Sequence, residues 1–308
     1  MRRGGRQTAY GKSSILNAGG FTLVELLVVI GVLSLLLGVL VPALNQARRA
    51  ARSMLGGQRQ REVVLAASLY AADHQGCYPE SVATAAMLGR TWRWQEPRMM
   101  KACQPRAAGY QCSMASYLRP YLPKAVALSC PGSPAAYPYL EDFWRAGEAW
   151  DNPQTGFTDD SVLGSFCFYW SYVGYLSEEE RPFFGPPLDA GRPGCSRLLI
   201  SDYFGFNHWR SPNAFGSCER FPRAEVTTET HEAPTYWVHD PQGPPDRANL
   251  RFKLRAGFID GHVEAYRPGE TTILEVSETL DGATPTFSGF GIGAGQFYIP
   301  RTALPSRR

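Results

Sequence analysis

The chain of 308 residues lacks the short motifs by which many enzymes are identified from sequence. It has no H-E-x-x-H, no G-x-S-x-G, no P-loop and no dinucleotide-type glycine fingerprint. Its seven cysteines never occur as C-x-x-C, which argues against a zinc ribbon or a redox motif. There is no internal repeat, and 44% hydrophobic with 19% charged residues is typical of a folded chain rather than a disordered one. We therefore expect no enzyme activity, no cofactor and no metal.

Acidic residues are absent from positions 1–20, which carry Arg2, Arg3, Arg6 and Lys12. Removing these four positive charges from the net charge of +3 leaves −1, so the rest of the chain has no nucleic-acid signature. The basic segment precedes an apolar run. By the positive-inside rule, we expect residues 1–20 in the cytoplasm and the C-terminal part outside.

The apolar run extends from Phe21 to Leu44, and roughly 20 such residues suffice to cross a membrane core of ~30 Å as a helix. Its only charged residue is Glu25. A carboxylate at the centre of such a helix costs about 2.5–3.5 kcal/mol, and less near an end, so Glu25 needs a partner. The nearest candidate is a positive amino terminus, which cleavage after Gly20 would create.

The hexapeptide Gly20-Phe21-Thr22-Leu23-Val24-Glu25 resembles the processing site of type IV prepilins and of the pseudopilins of type II secretion systems. The resemblance implies cleavage by a prepilin peptidase before Phe21, N-methylation of Phe21 and a structural role for Glu25. It also accounts for Pro42, and we assign Phe21, Glu25 and Pro42 to assembly. An ordinary signal peptide or anchor is the alternative, but a secretory signal has its small residues after the apolar run. Here the pair Gly19-Gly20 precedes it.

The helix is expected to continue beyond the membrane as an amphipathic segment. Apolar residues recur at three- and four-residue steps in 43–75, with arginines between them. Gly56-Gly57 is a weak point where the helix could kink. Gly76 and Pro79 provide an end signal, with Gly76 at the C′ position. We therefore predict one helix over 21–76, of which 21–44 spans the membrane.

A second resemblance covers the end of this helix, Leu69–Pro79, and the later segment Gly257–Tyr266. Both are similar to pseudopilin-like proteins of planctomycete-type bacteria, and the second contains the Asp260-Gly261-His262-Val263 element. Those proteins often carry a histidine ten positions before the aspartate. Leu250 occupies that position here, so no role for the histidine is transferred.

The rest of the chain predicts an antiparallel β-rich globular domain over 77–282 and a Gly/Pro-rich tail over 283–308, which makes the fold class α+β. Short helices are expected within 84–118 and 139–150. A hairpin is expected to turn at Asp260-Gly261, a dipeptide favoured in type I′ turns. The candidate strands are Ser165–Tyr175, Arg197–Asp202, Tyr236–His239, Asn249–Phe252, Ala256–Tyr266 and Gln296–Ile299.

All seven cysteines lie in the part expected to be exported. An oxidising compartment favours two or three disulfides. The first candidates are Cys103 with Cys112 and Cys195 with Cys218, because their loops are short. The connectivity stays open, and buried thiols are the alternative.

Three further groups of residues have two interpretations each. A metal or acid–base cluster is suggested by Asp260 and His262 together with Asp202, His239 and Asp240. A turn explains Asp260 as well. Glu178-Glu179-Glu180 or Asp159-Asp160 could bind calcium, or form solvated charge runs. Trp92 and Trp94 could be a binding platform, whereas tryptophan in a β domain more often packs in the core.

These observations predict a pilin-like structural subunit, processed by a prepilin peptidase and assembled with other such subunits into a type II secretion pseudopilus or a type IV pilus-like fibre. It would be a single-pass protein of the inner (cytoplasmic) membrane with an exported C-terminal domain. The alternative is a membrane-anchored envelope protein whose exported domain binds carbohydrate or another ligand.

Overall fold

A computed structural model describes residues 22–84, 96–101, 109, 111, 113–131, 139–147, 150, 162–186, 194–207, 211–215, 225–226, 236–237, 247–276, 279–281, 284–286 and 295–305. The chain divides into two compact units, Met1–Ala47 and Arg48–Arg308. A long N-terminal helix is followed by antiparallel sheets, so the predicted α+β class is confirmed.

Helix α1 runs without interruption from Leu23 to Asp73, through Pro42 and through the two glycines where a kink was considered. It ends where the Gly76 amide donates to the Ala71 carbonyl at 2.7 Å. The backbone turns left-handed at Gln75, with φ 58°, and at Gly76, with φ 87°. The C′ position is therefore Gln75, one residue earlier than the sequence predicts.

Within the described residues, two further α-helices and sixteen strands follow. The helices are α2, Met114–Leu118, and α3, Tyr139–Ala146, both within the predicted segments. The strands are β1 Met99–Lys101, β2 Val162–Leu163, β3 Phe166–Phe168, β4 Val173–Leu176, β5 Arg181–Phe184, β6 Leu198–Asp202, β7 Phe204–Asn207, β8 Ser211–Phe215, β9 Glu225–Val226, β10 Tyr236–Trp237, β11 Leu254–Phe258, β12 Val263–Tyr266, β13 Thr271–Val276, β14 Thr279–Asp281, β15 Thr284–Thr286 and β16 Gly295–Pro300.

Two larger antiparallel sheets organise these strands. One has four strands in the order β12-β11-β6-β3, and the other has six in the order β5-β4-β13-β16-β7-β8. Three two-stranded ladders, β1-β2, β9-β10 and β14-β15, complete the pairing within the described residues.

The outer half of α1 packs on the four-stranded sheet. Its buried residues are Ser53, Gly56, Gln60, Val63, Val64, Ala66, Ala67 and Ala71, and most are small. Gly257 of β11 allows the close approach, because a Cβ there would lie 2.7 Å from Val64 Cγ2 and 2.9 Å from Ile200 Cγ2. The absence of a side chain at Gly257 therefore sets the distance between helix and sheet.

A buried polar contact fixes the register of this packing. Gln60 Nε2 donates to Asp202 Oδ1 at 2.9 Å, and the other carboxylate oxygen accepts from the Arg255 amide at 2.9 Å. Helix α1, strand β6 and strand β11 thus meet at one carboxylate.

Three sequence predictions need correction. The segment Ser165–Tyr175 forms two strands, because the chain turns between them at Ser171, where φ is 51°. The segment Asn249–Phe252 is not a strand; a 3₁₀ turn occupies Arg247–Asn249. The C-terminal segment is more than a tail, because β16 confirms the strand predicted at Gln296–Ile299; it lies between β13 and β7 and buries Phe297, Tyr298 and Ile299. The aromatic and β-branched side chains of β16 favour a strand, although glycines precede it. The strand predicted at Arg197–Asp202 is confirmed by β6.

Candidate functional site

Helix α1 begins with a capping box formed by Thr22 and Glu25. The Thr22 hydroxyl accepts from the Glu25 amide at 3.2 Å, and Glu25 Oε2 accepts from the Thr22 amide at 2.9 Å and from its hydroxyl at 2.8 Å. This reciprocal pattern satisfies two amides that a helix start leaves without partners. Glu25 therefore has a local helix-capping role that the sequence analysis did not assign to it. Gly20 and Phe21 lie outside the described residues.

The first half of α1 is apolar on all sides and fully exposed. An 18-residue stretch has a mean hydropathy of 2.8, and none of it is buried. Leu23 is 85% exposed, and the large apolar residues from Val24 to Leu44 are all exposed as well. A helix that is apolar all round is stable only where something other than water surrounds it. The segment is long enough to span a membrane, as the sequence predicts.

Two residues within this segment interrupt the pattern without breaking the helix. Ser34 Oγ donates to the Ile30 carbonyl at 2.7 Å, which satisfies the hydroxyl inside the helix. Pro42 has no amide hydrogen for the carbonyl of Gly38. One helical hydrogen bond, between Gly38 and Pro42, is therefore missing, yet the helix continues.

The outer half of α1 also exposes apolar residues, on the side opposite its buried stripe. Met54 is 69% exposed, Leu55 41%, Leu65 58% and Leu69 44%. At 100° per residue these four lie within one helix face. A simple membrane anchor does not require apolar side chains here, because the roughly 20 residues that suffice to cross a membrane end before Met54. Sequence periodicity could have found this second stripe, but the buried stripe has the same spacing and obscures it.

A shallow groove of about 440 Å³ lies at the C-terminal end of α1. Its lining residues are Tyr70, Asp73, His74, Gln75, Cys77, Tyr78 and Glu80. The His74 ring stacks on Tyr70 at 3.8 Å between centroids, and Asp73 accepts from the Tyr121 hydroxyl at 2.9 Å. Burial and the nearby Glu80 carboxylate raise the pKa of Tyr70. The groove is aromatic and acidic, and its stacking contacts give it a defined shape.

The Asp260 hairpin has a different turn from the one predicted. Only Gly261 has a positive φ, of 86°, whereas a type I′ turn needs two such residues. The Gly261 amide donates to the Phe258 carbonyl at 2.9 Å, and the Phe258 amide donates to the His262 carbonyl at 3.0 Å. This pattern is a three-residue loop in which Gly261 forms the bulge.

Asp260 and His262 have structural partners in this loop. Asp260 accepts from Arg197 at 2.6 Å and contacts the His262 ring, which stacks on Phe258 at 4.5 Å. The hydrogen bond from His262 lowers the pKa of Asp260, and the Arg197 charge adds to this effect.

The other members of the candidate cluster do not join them in a described site. Asp202 is buried beneath helix α1, and His239 and Asp240 lie outside the described residues. No group of three potential metal ligands occurs among the residues that the structure describes. The hairpin interpretation is the one that these contacts support.

Two of the three carboxylates in Glu178-Glu179-Glu180 have partners within the fold, and Glu180 is exposed. Glu178 pairs with Arg247 and, at 3.5 Å, with Arg301. Glu179 accepts from the Thr272 hydroxyl at 2.8 Å. Partial burial raises the pKa of Glu178, but hydrogen bonds from Arg247 and Thr272 and the two arginine charges lower it overall. The carboxylates therefore hold the start of β13 to the β4–β5 turn. Asp159 and Asp160 lie outside the described residues.

The tryptophans that the structure describes with their side chains are core residues. Trp144, Trp150 and Trp170 are 3%, 0% and 1% exposed. Trp92 and Trp94, the candidate platform, lie outside the described residues, so that interpretation stays a prediction.

The cysteines correct one predicted pairing. Cys77, Cys167 and Cys195 are thiols in the structure, whereas Cys130 is disulfide-bonded. The predicted Cys195–Cys218 disulfide is therefore not formed in the structure, since Cys195 is a thiol. Cys103, Cys112 and Cys218 lie outside the described residues.

Sequence reasoning missed a buried ion pair. Arg98 and Glu96 form an ion pair in the interior, and Arg98 lies 4.7 Å from the centroid of the Tyr203 ring. A pair of this kind leaves no periodic signal, because its members come from a turn and only the fold places them inside.

No family model, no curated protein and no solved structure matched this chain. The resemblance of the N-terminal segment to prepilins therefore stays a prediction.

Proposed function

We propose that this chain is a pilin-like structural subunit that is cleaved after Gly20, held in the inner membrane by residues 21–44, and assembled into a type II secretion pseudopilus or a type IV pilus-like fibre. Its exported domain would form the outer surface of that fibre. The chain would act by assembly rather than catalysis, with a prepilin peptidase and other pilin-like subunits as partners.

The observation that carries this proposal is the length of exposed apolar surface on α1. The membrane accounts for about 20 residues of it. It does not account for Met54, Leu55, Leu65 and Leu69, which are exposed farther along the same helix. Neighbouring helices would cover both the apolar first half of α1 and these four residues. Extraction from the bilayer would then exchange lipid contacts for helix–helix contacts.

The rival proposal, an anchored ligand-binding protein, draws on the groove at the end of α1. Its two carboxylates and its tyrosines suit a polar ligand. That function leaves the apolar stripe beyond the membrane without a purpose, so the assembly proposal explains more of the surface.

The test replaces part of the stripe in the full chain, expressed in its own host. Leu65→Gln with Leu69→Gln keeps helix propensity and leaves the fold intact, since substitutions of exposed residues usually change stability by about 0.5 kcal/mol or less. We expect the variant to be membrane-inserted but at least tenfold depleted from sheared fibres. The matched control is Ile259→Gln, because Ile259 is an apolar residue exposed at 38% in the hairpin loop. Wild-type recovery of the double variant in fibres would contradict the proposal.

A further inference from the structure

Three arginines lie directly after the apolar part of α1. Arg48, Arg49 and Arg52 are exposed, and none of them forms an ion pair with a residue that the structure describes. The sequence has no acidic residue between Glu25 and Glu62. This stretch of helix therefore carries uncompensated positive charge.

The three side chains share one face of the helix. At 100° per residue, positions 48, 49 and 52 fall within an arc of about 100°. Arg59 lies on the same face but donates to the Ser129 carbonyl at 2.8 Å, and Arg61 lies on another face. The arginine cluster is defined here as Arg48, Arg49 and Arg52.

The distance from the apolar run fits a membrane surface. At ~1.5 Å per residue, Arg48 lies about 6 Å and Arg52 about 12 Å beyond Leu44 along the helix. The polar region of a bilayer adds about 5–8 Å on each side of the hydrocarbon core. Helical side chains lean toward the N-terminus, so the guanidinium groups are directed back toward the membrane.

We propose that the arginine cluster binds the phosphates of anionic lipid headgroups on the membrane face from which the globular domain emerges. A guanidinium presents paired N–H donors that match phosphate oxygens, and its stem can lie along the apolar helix. Arginines on an exported side run against the positive-inside trend, and anionic headgroups give them a local partner. The inference uses the membrane-spanning helix of the proposed function but does not depend on fibre assembly.

The test uses the mature full-length protein in detergent micelles that contain equal amounts of phosphatidylglycerol and phosphatidylcholine. Native mass spectrometry counts the retained molecules of each lipid. An arginine near an anionic surface contributes roughly a fivefold preference at low salt. We expect a clear excess of bound phosphatidylglycerol, which falls at least fivefold in the Arg48→Gln, Arg49→Gln, Arg52→Gln variant and also falls in 0.5 M salt.

Two control variants make the result specific. Arg61→Gln removes an exposed charge from the same helix, about 25 Å beyond Leu44. In about 0.1 M salt, where the Debye length is roughly 10 Å, this variant should keep the wild-type preference. Replacing all three cluster arginines with lysine should keep most of the preference, because the charge remains.

Several outcomes would overturn the inference. Equal lipid preference in wild type and the glutamine variant would do so. So would a glutamine variant that keeps its preference but loses cross-links to other subunits, since the arginines would then serve protein contacts. Failure of assembly alone would leave the lipid preference unchanged, which separates this test from that of the proposed function.

Discussion

Glu25 has a capping role in the structure and, in the proposed fibre, would have a second role. In the structure its carboxylate closes a capping box with Thr22. In the proposed fibre it would also pair with the amino group of Phe21 on a neighbouring subunit. Capping needs only an acceptor oxygen, whereas the pair needs the negative charge.

This difference gives the first residue-scale prediction. Glu25→Gln keeps an oxygen acceptor for the capping box but removes the charge. Breaking a buried charge pair typically costs about 3–5 kcal/mol, so the variant should insert into the membrane and fold, yet be depleted from fibres by two orders of magnitude or more. Glu25→Ala removes both roles and should show the same fibre defect with a less helical N-terminus. Wild-type fibre levels for Glu25→Gln would favour the anchor-only alternative.

Processing supplies the second prediction at this scale. Gly20 precedes the proposed scissile bond, and a bulky side chain there should hinder the peptidase. Mass spectrometry of the envelope protein should find a mature species that begins at methylated Phe21, and Gly20→Leu should accumulate uncleaved. A mature protein that begins at another residue would rule out the prepilin interpretation.

At the scale of elements, the contact between α1 and the four-stranded sheet depends on the missing side chain at Gly257. The nearest atoms to a Cβ there belong to Val64 and Ile200, whose branched side chains have little rotamer freedom. Val64 and Ile200 therefore cannot make room for an added Cβ unless the backbone shifts.

We therefore expect Gly257→Ala to lower the free energy of unfolding by about 1–3 kcal/mol, the usual cost of overpacking. Urea titration of the full chain in detergent, followed by tryptophan fluorescence, measures this. Gly269→Ala is the matched control, because the nearest atom to its Cβ is at an ordinary 3.4 Å. Adding Val64→Ala should recover part of the loss in the Gly257→Ala background, and additive effects of the two substitutions would contradict the direct contact.

At the scale of the whole molecule, the number of disulfides indicates whether the protein folds in an oxidising compartment. Cys77, Cys167 and Cys195 are thiols and Cys130 is disulfide-bonded. If the remaining cysteines pair in an oxidising compartment, the chain contains two disulfides.

Thiol counting without reductant should then find three thiols in denaturant. Burial raises the pKa of the Cys167 thiol, so this thiol should react only after unfolding. Five or more thiols in the envelope-derived protein would contradict the prediction of two disulfides.

The sequence by itself determined the features that depend on local pattern. The apolar run and the arginines after it predicted the long helix to within a few residues, because a 3.6-residue period needs no tertiary information. The β6 strand and the hairpin at Asp260-Gly261 were likewise predictable from short apolar runs and turn residues. The type of turn was not, because Asp260 can adopt either sign of φ and its contacts with Arg197 and His262 select one.

The tertiary structure decided which distant residues are in contact and which apolar residues are buried. Gln60 and Asp202 are far apart in sequence, and their contact arises only when α1 lies on β6. The sequence predicted a strand at Gln296–Ile299 within a glycine-rich segment, but only the fold places β16 inside a sheet, between β13 and the earlier strand β7. Only the fold separates the two apolar stripes of α1, since one is buried on the sheet and the other is exposed at Met54, Leu65 and Leu69. Periodicity marks a residue as apolar, but burial depends on what the rest of the chain places beside it.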